Sequence, residues 1–354
     1  MDFGIGIATA ADSWKLAQRA EELGFTHAWF YDTQMITADP FIAMGVAATK
    51  TSRIRLGTGV LVPSNRIAAQ TANCFVTLNQ LAPGRIDFGV GTGFSARRAM
   101  GLGAMKLADM AEHVRVVYGL LHDEIVETDI EGKRKKIKFL NPEVGLLNIK
   151  DDVKLHRLRA EIAGAGGQAR RGLDDLRCGC GRRDRGTAVH ASELAGGGER
   201  ALRPLRDGLG AGHRAGRGRG GGQPARDGAI GAAGGGAAAS RGGPRHAGWK
   251  NTSDVPETVA AEVKGYVDLA RGFAPSDARY INNHRGHFVF VKPEEQCFVT
   301  AELIRRTTFT AGEQEIKQRI EALRSAGWSQ ITIPITPGCE WALEDWGRIR
   351  QAFA

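Results

Sequence analysis

The 354-residue chain carries 48 Lys and Arg against 39 Asp and Glu, a formal net charge of +9 at pH 7. That length allows one large α/β barrel or two ordinary domains. No run approaches the roughly 20 apolar residues of a membrane helix, and the opening MDFGIGIATA lacks the order of a secretory signal, so a cytoplasmic protein is expected. The positive charge does not point to nucleic acid, because essentially all of the excess lies between Arg157 and Trp249.

From Met1 to about His156, strand-like apolar runs alternate with amphipathic helices at a spacing of roughly thirty residues, which predicts α/β architecture with a parallel sheet. Phe3 to Ala8 reads as the first strand. Asp12 is placed to cap a helix through Trp14, Leu16, Ala17, Ala20 and Leu23, with Gly24 to end it. Phe25 to Asp32 is the second strand. Asp39 and Pro40 open a helix that runs to about Lys50. Arg53 to Val62 is the third strand, Ala68 to Leu81 a helix, and Arg85 to Val90 the fourth strand after the Pro83-Gly84 turn. A long helix from about Lys106 to Leu121 precedes a hairpin insertion at Ile125 to Ile149, and Val153 to His156 begins a fifth strand.

The texture then breaks. From Arg157 to Gly248 the chain is dominated by Gly, Arg and Ala, with no Phe, Tyr, Asn or Lys, and reads as low-complexity. The missing types have A/T-rich codons and the abundant ones G/C-rich codons, as when a GC-rich gene is read out of frame. We expect compensating frameshifts near His156 and Trp249, so that 157–248 replaces the middle βα units between an N-terminal part, 1–156, and a C-terminal part, 249–354. The rival reading is an RGG-like RNA-binding segment around Gly216 to Gly222, but it has no aromatic side chain for base stacking. After Trp249 the earlier pattern returns. Pro256 to Ala270 is helical, Phe288 to Val291 strand-like, Glu294 to Arg306 helical, and Glu313 to Ala326 an amphipathic helix closed by Gly327. Gln330 to Ile335 is a strand, with Pro334 expected near its end, and Trp341, Leu343, Trp346 and Ile349 mark a last helix.

In a parallel sheet of this kind, chemistry gathers just beyond the C-terminal ends of the strands. Asp32 ends the second strand and can accept a proton or hold a substrate or cofactor; equally, it can cap local amides. LGTGVLVPSN (Leu56 to Asn65) and GVGTGFSARR (Gly89 to Arg98) place glycines where a flat cofactor can come close, and Ser95, Arg97 and Arg98 can hold a phosphate or acidic tail. The second block is not a GxGxxG fingerprint and lacks the following acidic residue, which disfavours a Rossmann domain. His156, His284 and His287 can line a pocket, although an isolated histidine is more often structural. The five scattered cysteines argue against a disulfide framework, and Cys178 and Cys180 lack partners at zinc spacing, so no metal is expected.

EELGFTHAWFYDTQ, RIRLGTGV, LNQLAPGRIDFGVGTGFSARRAMGL and the C-terminal EALRSAGWSQITI together resemble the bacterial-luciferase-like family, most closely its methylenetetrahydromethanopterin-reductase-like branch. The resemblance covers roughly the first 156 and last hundred residues. It implies a (β/α)8 TIM barrel, here with a hairpin insertion and interrupted by the Gly/Arg/Ala-rich central segment. It also implies FMN, or alternatively the deazaflavin coenzyme F-420, at the barrel mouth. Gly59 and Val60 would form the cis peptide behind the ring, and Asp32 and Gly91, Thr92 and Gly93 would face the ring or its substrate, with Ser95 also on the cofactor. The family's phosphate-gripping segment would fall within 157–248.

The implied activity is a monooxygenase acting with reduced FMN and O2 on a small organic substrate. A flavin reductase as FMN supplier and a homodimer are the expected partners, with no nucleic acid or membrane. The alternatives are deazaflavin-dependent hydride transfer and, because the middle of the barrel is disrupted, an inactive or misfolded relative.

Overall fold

The computed structural model describes residues 1–157, 188–190 and 257–354. The expected central segment, the cysteine pair Cys178 and Cys180, and the RGG-like stretch lie outside the described residues.

Four strands alternate with helices in the first part and a two-stranded hairpin follows. They are β1 (Asp2–Ile7), α1 (Trp14–Glu22), β2 (His27–Phe30), α2 (Pro40–Lys50), β3 (Arg55–Thr58), α3 (Ala68–Leu81), β4 (Ile86–Val90), α4 (Phe94–Arg98), α5 (Leu107–Leu121), β5 (Val126–Ile130) and β6 (Lys133–Ile137). β7 (Lys154–Arg157) and the short β8 (Ala188–His190) follow. The last part holds α6 (Ala260–Arg271), α7 (Tyr280–His284), α8 (Ala301–Thr307), α9 (Glu313–Ser325), β9 (Gln330–Ile335) and α10 (Ala342–Gln351).

One seven-stranded sheet runs in the order β7-β4-β3-β2-β1-β9-β8, and its strands pair in parallel. The last strand, β9, lies beside the first, its register running from Asp2 against Gln330 to Ile7 against Ile335. β5 and β6 form a separate antiparallel hairpin, as the insertion predicted.

Period-two alternation gives the sheet two different faces. Phe3, Ile5, Ile7, Ala28, Phe30, Leu56, Ile86, Phe88, Ile331 and Ile333 join the main apolar core, where they meet the helices. From α9, Ile316, Ile320 and Leu323 supply one stripe at spacings of four and three; from α10, Leu343, Trp346 and Ile349 supply another. Each such side chain contributes about 1.5–3 kcal/mol on burial. The opposite face carries glycines and polar groups. The fully buried Trp29 fills its centre: a Cβ on Gly57 would fall 2.5 Å from the indole, and one on Gly4 would fall 3.0 Å from it.

Several expectations need correction. Asp12 does not cap α1; its carboxylate pairs with Lys15, and Ser13 occupies the cap, its Oγ accepting from the Ala10 amide. Phe288 to Val291 is not a strand, because Gly286 (φ +80°) and Phe288 (φ +58°) turn the backbone into a compact loop with two amides donating to the Gly286 carbonyl. Glu294 to Arg306 is not one helix but a 3-10 turn at Pro293–Phe298 followed by α8, whose cap Thr300 accepts from the Leu303 amide. The Asp39-Pro40 start is as read, with Asp39 Oδ1 accepting from the amides of Phe41 and Ile42.

Candidate functional site at the carboxyl ends of the strands

Beyond the end of β2 the chain turns through Tyr31 and Asp32. Asp32 is 3% exposed. Its Oδ2 accepts from the Val62 amide at 2.9 Å and from Asn65 Nδ2 at 3.3 Å, and Arg66 Nη1 lies 3.0 Å and 3.1 Å from its two oxygens. Arg66 also reaches Asp39 at the head of α2. Both oxygens of Asp32 are therefore engaged by the chain itself, and what they hold is the segment leaving β3. Asn65 and Arg66 are members of the site that sequence reasoning missed; their place next to PSN in the loop after β3 was the available signal.

That segment contains the cis Gly59-Val60 peptide, as the resemblance implied. It then lies along the exit of β4, with the Leu61 amide donating to Gly89 O at 2.7 Å and the Gly91 amide to Leu61 O at 3.1 Å. Glycine is needed for this approach. A Cβ on Gly91 would fall 2.7 Å from Val60 Cγ2, and one on Gly93 would fall 2.5 Å from Val62 Cγ1. Gly93 is also left-handed at φ +74°, where it leads into α4. Thr92 accepts from the Met105 amide through its carbonyl, folding the chain after α4 back onto the exit. Gly59, Val60, Gly91, Gly93 and Thr92 thus lie on two strand exits packed against each other, with Val60 and Val62 filling the space over Gly91 and Gly93.

Ser95, one residue into α4, shares a 2.9 Å hydrogen bond with His287 Nε2, 192 residues away in the chain. His287 is buried, and burial, with His284 adding to it, pushes its imidazole down to about 3. At neutral pH the ring is uncharged. Phe288 follows it and meets the Tyr31 ring edge-on at 6.2 Å. Arg97 donates to Gly103 O at 2.6 Å, and Arg98 lies over the Phe94 ring at 3.4 Å, its pKa lowered to about 10 by burial. His284 is bonded to Tyr280 O through Nδ1.

The loop that carries His287 is held from beneath. The fully buried Lys292 pairs with Glu295 at 2.8 Å, donates to Asn282 O at 2.6 Å and lies 4.2 Å from the Phe273 ring centroid. Tyr266 of α6 donates to Glu295 Oε1 at 3.1 Å. Burial of two charges is tolerable here because the remaining donors and acceptors are engaged.

His156, the third histidine singled out, lies elsewhere. Its Nε2 is 3.0 Å from Asp87 Oδ1, inside a polar layer at the other end of the strands. Arg55 clamps the same carboxylate with two bonds, Nε to Oδ2 at 2.9 Å and Nη2 to Oδ1 at 2.6 Å, and His27 stands 3.7 Å away, stacked on Trp29. Burial pushes the Asp87 carboxyl up, but His156 and Arg55 outweigh it, and the net displacement is downward. This layer joins β2, β3, β4 and β7 and has no part at the C-terminal ends. Among the described residues there is no cluster of His, Cys, Asp and Glu fit to hold a metal, and no helix long and apolar enough to cross a membrane.

Residues 5–142 match the family model for luciferase-like monooxygenases. Two curated relatives narrow the comparison. A 5,10-methylenetetrahydromethanopterin reductase from Methanolobus tindarius is 34% identical over 134 residues, which cover 36% of this chain and 41% of the relative. An N-acetyl-S-alkylcysteine monooxygenase from Bacillus subtilis (strain 168) is 37% identical over 91 residues, 23% of this chain and 27% of the relative. The chain thus spans less than half the length of either relative. Among solved structures, the coenzyme F420 dependent tetrahydromethanopterin reductase from Methanopyrus kandleri superposes with a TM-score of 0.60 at 18% identity, covering 100% of this chain and 99% of that one. This last likeness is one of fold.

Proposed function

We propose that the chain is an oxidoreductase of the luciferase-like type, acting as a monooxygenase on a small organic substrate with reduced FMN. The observation that carries this reading is the glycine-lined passage where the exits of β3 and β4 lie against each other. A Cβ at 91 or 93 would collide with Val60 or Val62, so glycine lets the two exits lie this close, and closely joined backbone suits the backing of a planar ring. The described residues fit the ring end of a flavin or deazaflavin on that ground. Gly59, Val60, Gly91, Thr92 and Gly93 would back the ring, and Ser95 would stand at its margin.

When bound, reduced FMN supplies the electrons for oxygen insertion; the protein supplies position and dryness. Asp32 acts as a positioning residue: with Arg66 it fixes the Gly59 to Val62 backbone through the Val62 amide. His287, uncharged and buried, orients the Ser95 hydroxyl. Tyr31 and Phe288 keep water from the C-terminal ends of β1 and β2. On this reading the described strands belong to a (β/α)8 barrel. A cytoplasmic location, a homodimer and a separate flavin reductase fit the same proposal.

Hydride transfer from a reduced deazaflavin is the second reading, favoured by the methanopterin-reductase relative and by the F420-dependent neighbour in fold. Anaerobic titration of the full chain with reduced FMN and with reduced coenzyme F-420 separates the two. Tighter binding of FMN, followed by oxygen uptake when O2 is admitted, supports the first; binding of the deazaflavin alone overturns it.

A further inference from the structure

Three segments meet above the ends of β1 and β2: the loop after β2, α4 with the residues that follow it, and α7 with the loop after it. Their contacts are independent of one another. Gln34 Nε2 donates to Ala96 O at 3.2 Å and lies 3.5 Å from Met100 Sδ. Tyr280 packs over Gly101, where a Cβ would fall 2.7 Å from its ring. Ser95 bonds His287, and Tyr31 meets Phe288.

The same three segments carry a concentration of exposed apolar side chains: Met35, Phe94, Met100, Leu102, Ile281 and Phe290. Met35 is 84% exposed. Scattered apolar residues need no explanation, but six of them on three segments already in mutual contact suit an apolar ligand. Phe288 adds a second observation. A bulky aromatic residue at φ +58° is a genuine backbone outlier, and such residues persist where the surroundings over-determine them, often at ligand sites. Here the neighbour His287 is pinned by Ser95, and the ring is turned towards Tyr31.

We propose that the loop 285–291, pinned by the Ser95–His287 hydrogen bond and facing Tyr31 through Phe288, is the wall that selects the substrate, and that it selects an uncharged apolar molecule over an anionic one. Most charged groups near this wall are engaged within the chain, Arg97 among them through Gly103 O. Asp32 is consumed by Arg66, Arg98 lies flat on Phe94, and Lys292 is paired with Glu295 below the loop. Arg285 extends over Phe290 at 5.8 Å. The proposal rests on the reading that the strand ends form a flavin-type site, but it is tested apart from it.

Benzyl alcohol and benzoate serve as probes of equal shape and different charge, with binding to the full chain followed by saturation-transfer NMR. We expect benzyl alcohol to bind about tenfold more tightly than benzoate. Phe288→Gly removes the ring while suiting the left-handed backbone. It should weaken benzyl alcohol about tenfold, leave the thermal midpoint unchanged or higher, and leave FMN affinity within twofold. Ser95→Ala should weaken the probe several-fold and Ser95→Thr restore it, a rescue that loss of general stability would not give. Equal binding of benzoate, no binding of benzyl alcohol, or full binding by Phe288→Gly would overturn the proposal. Failure of both FMN and coenzyme F-420 to bind, with the Phe288→Gly effect intact, would instead remove the cofactor reading and leave the apolar wall standing.

Discussion

Gly93 and Gly84 are both left-handed, at φ +74° and +68°, yet their surroundings differ. A Cβ on Gly84 meets nothing within 4 Å, whereas one on Gly93 meets Val62 at 2.5 Å and Arg97 at 3.0 Å. Gly84→Ala should therefore cost only the left-handed penalty of about 1 kcal/mol, and Gly93→Ala about 2–4 kcal/mol because Val62 must also move. Urea unfolding of the two variants checks this, and equal losses would remove the argument that Gly93 is there for close approach. Asp32→Ala leaves Arg66 without its buried partner and frees the Val62 amide, for a loss of about 2–4 kcal/mol. If Asp32 only positions, activity should fall in Asp32→Asn without a new ionisation in its pH profile. A lost limb in that profile would return Asp32 to proton transfer.

At the scale of elements, the Asp87 layer decides whether β7 joins the sheet, since one carboxylate serves Arg55 of β3 and His156 of β7. Asp87→Ala should destabilise by about 2–4 kcal/mol, because it removes the two charged bonds of the half-buried Arg55 guanidinium. It should also speed amide exchange in 154–157, where the pairing with β4 lies. Retained protection there would place the joining force in the backbone ladder alone.

Most elements were legible because their apolar residues repeat at helical or strand spacing; α3 matches the reading from Ala68 to Leu81. FVFV at 288–291 misled for a physical reason, since β-branched and aromatic residues favour strands, yet no local signal shows that Phe288 will be left-handed. The site was legible in halves. GTG and GVGTG show where backbone must come close, but the partners of Asp32 and Ser95 are set by which loops the fold brings together. No spacing rule links Ser95 to a histidine 192 residues on.

For the whole molecule, acid should be destabilising well before carboxylates protonate. Burial lowers His27 and His113 to about 4 and His287 to about 3, from 6.5. With folded values below the unfolded one, the unfolded chain takes up protons first. The stability is thus complete above pH 6.5 and is lost as pH falls towards those folded values. Between pH 7 and 5 each histidine should remove about 1–2 kcal/mol, and Asp87, held below its usual range, adds a further loss at lower pH. Urea midpoints across that interval test the sum, and His113→Leu should flatten the dependence, since its Nε2 is buried without a hydrogen bond. A flat profile would mean that these rings are hydrated.

The proposed seat of a flavin-type ring is the joined exits of β3 and β4, and hydrogen exchange with and without saturating FMN or coenzyme F-420 probes it. Slowed exchange is expected only at the amides of 59–66 and 90–96, with β5 and β6 unaffected. Failure of both cofactors to bind, or binding without protection in those two segments, would contradict it.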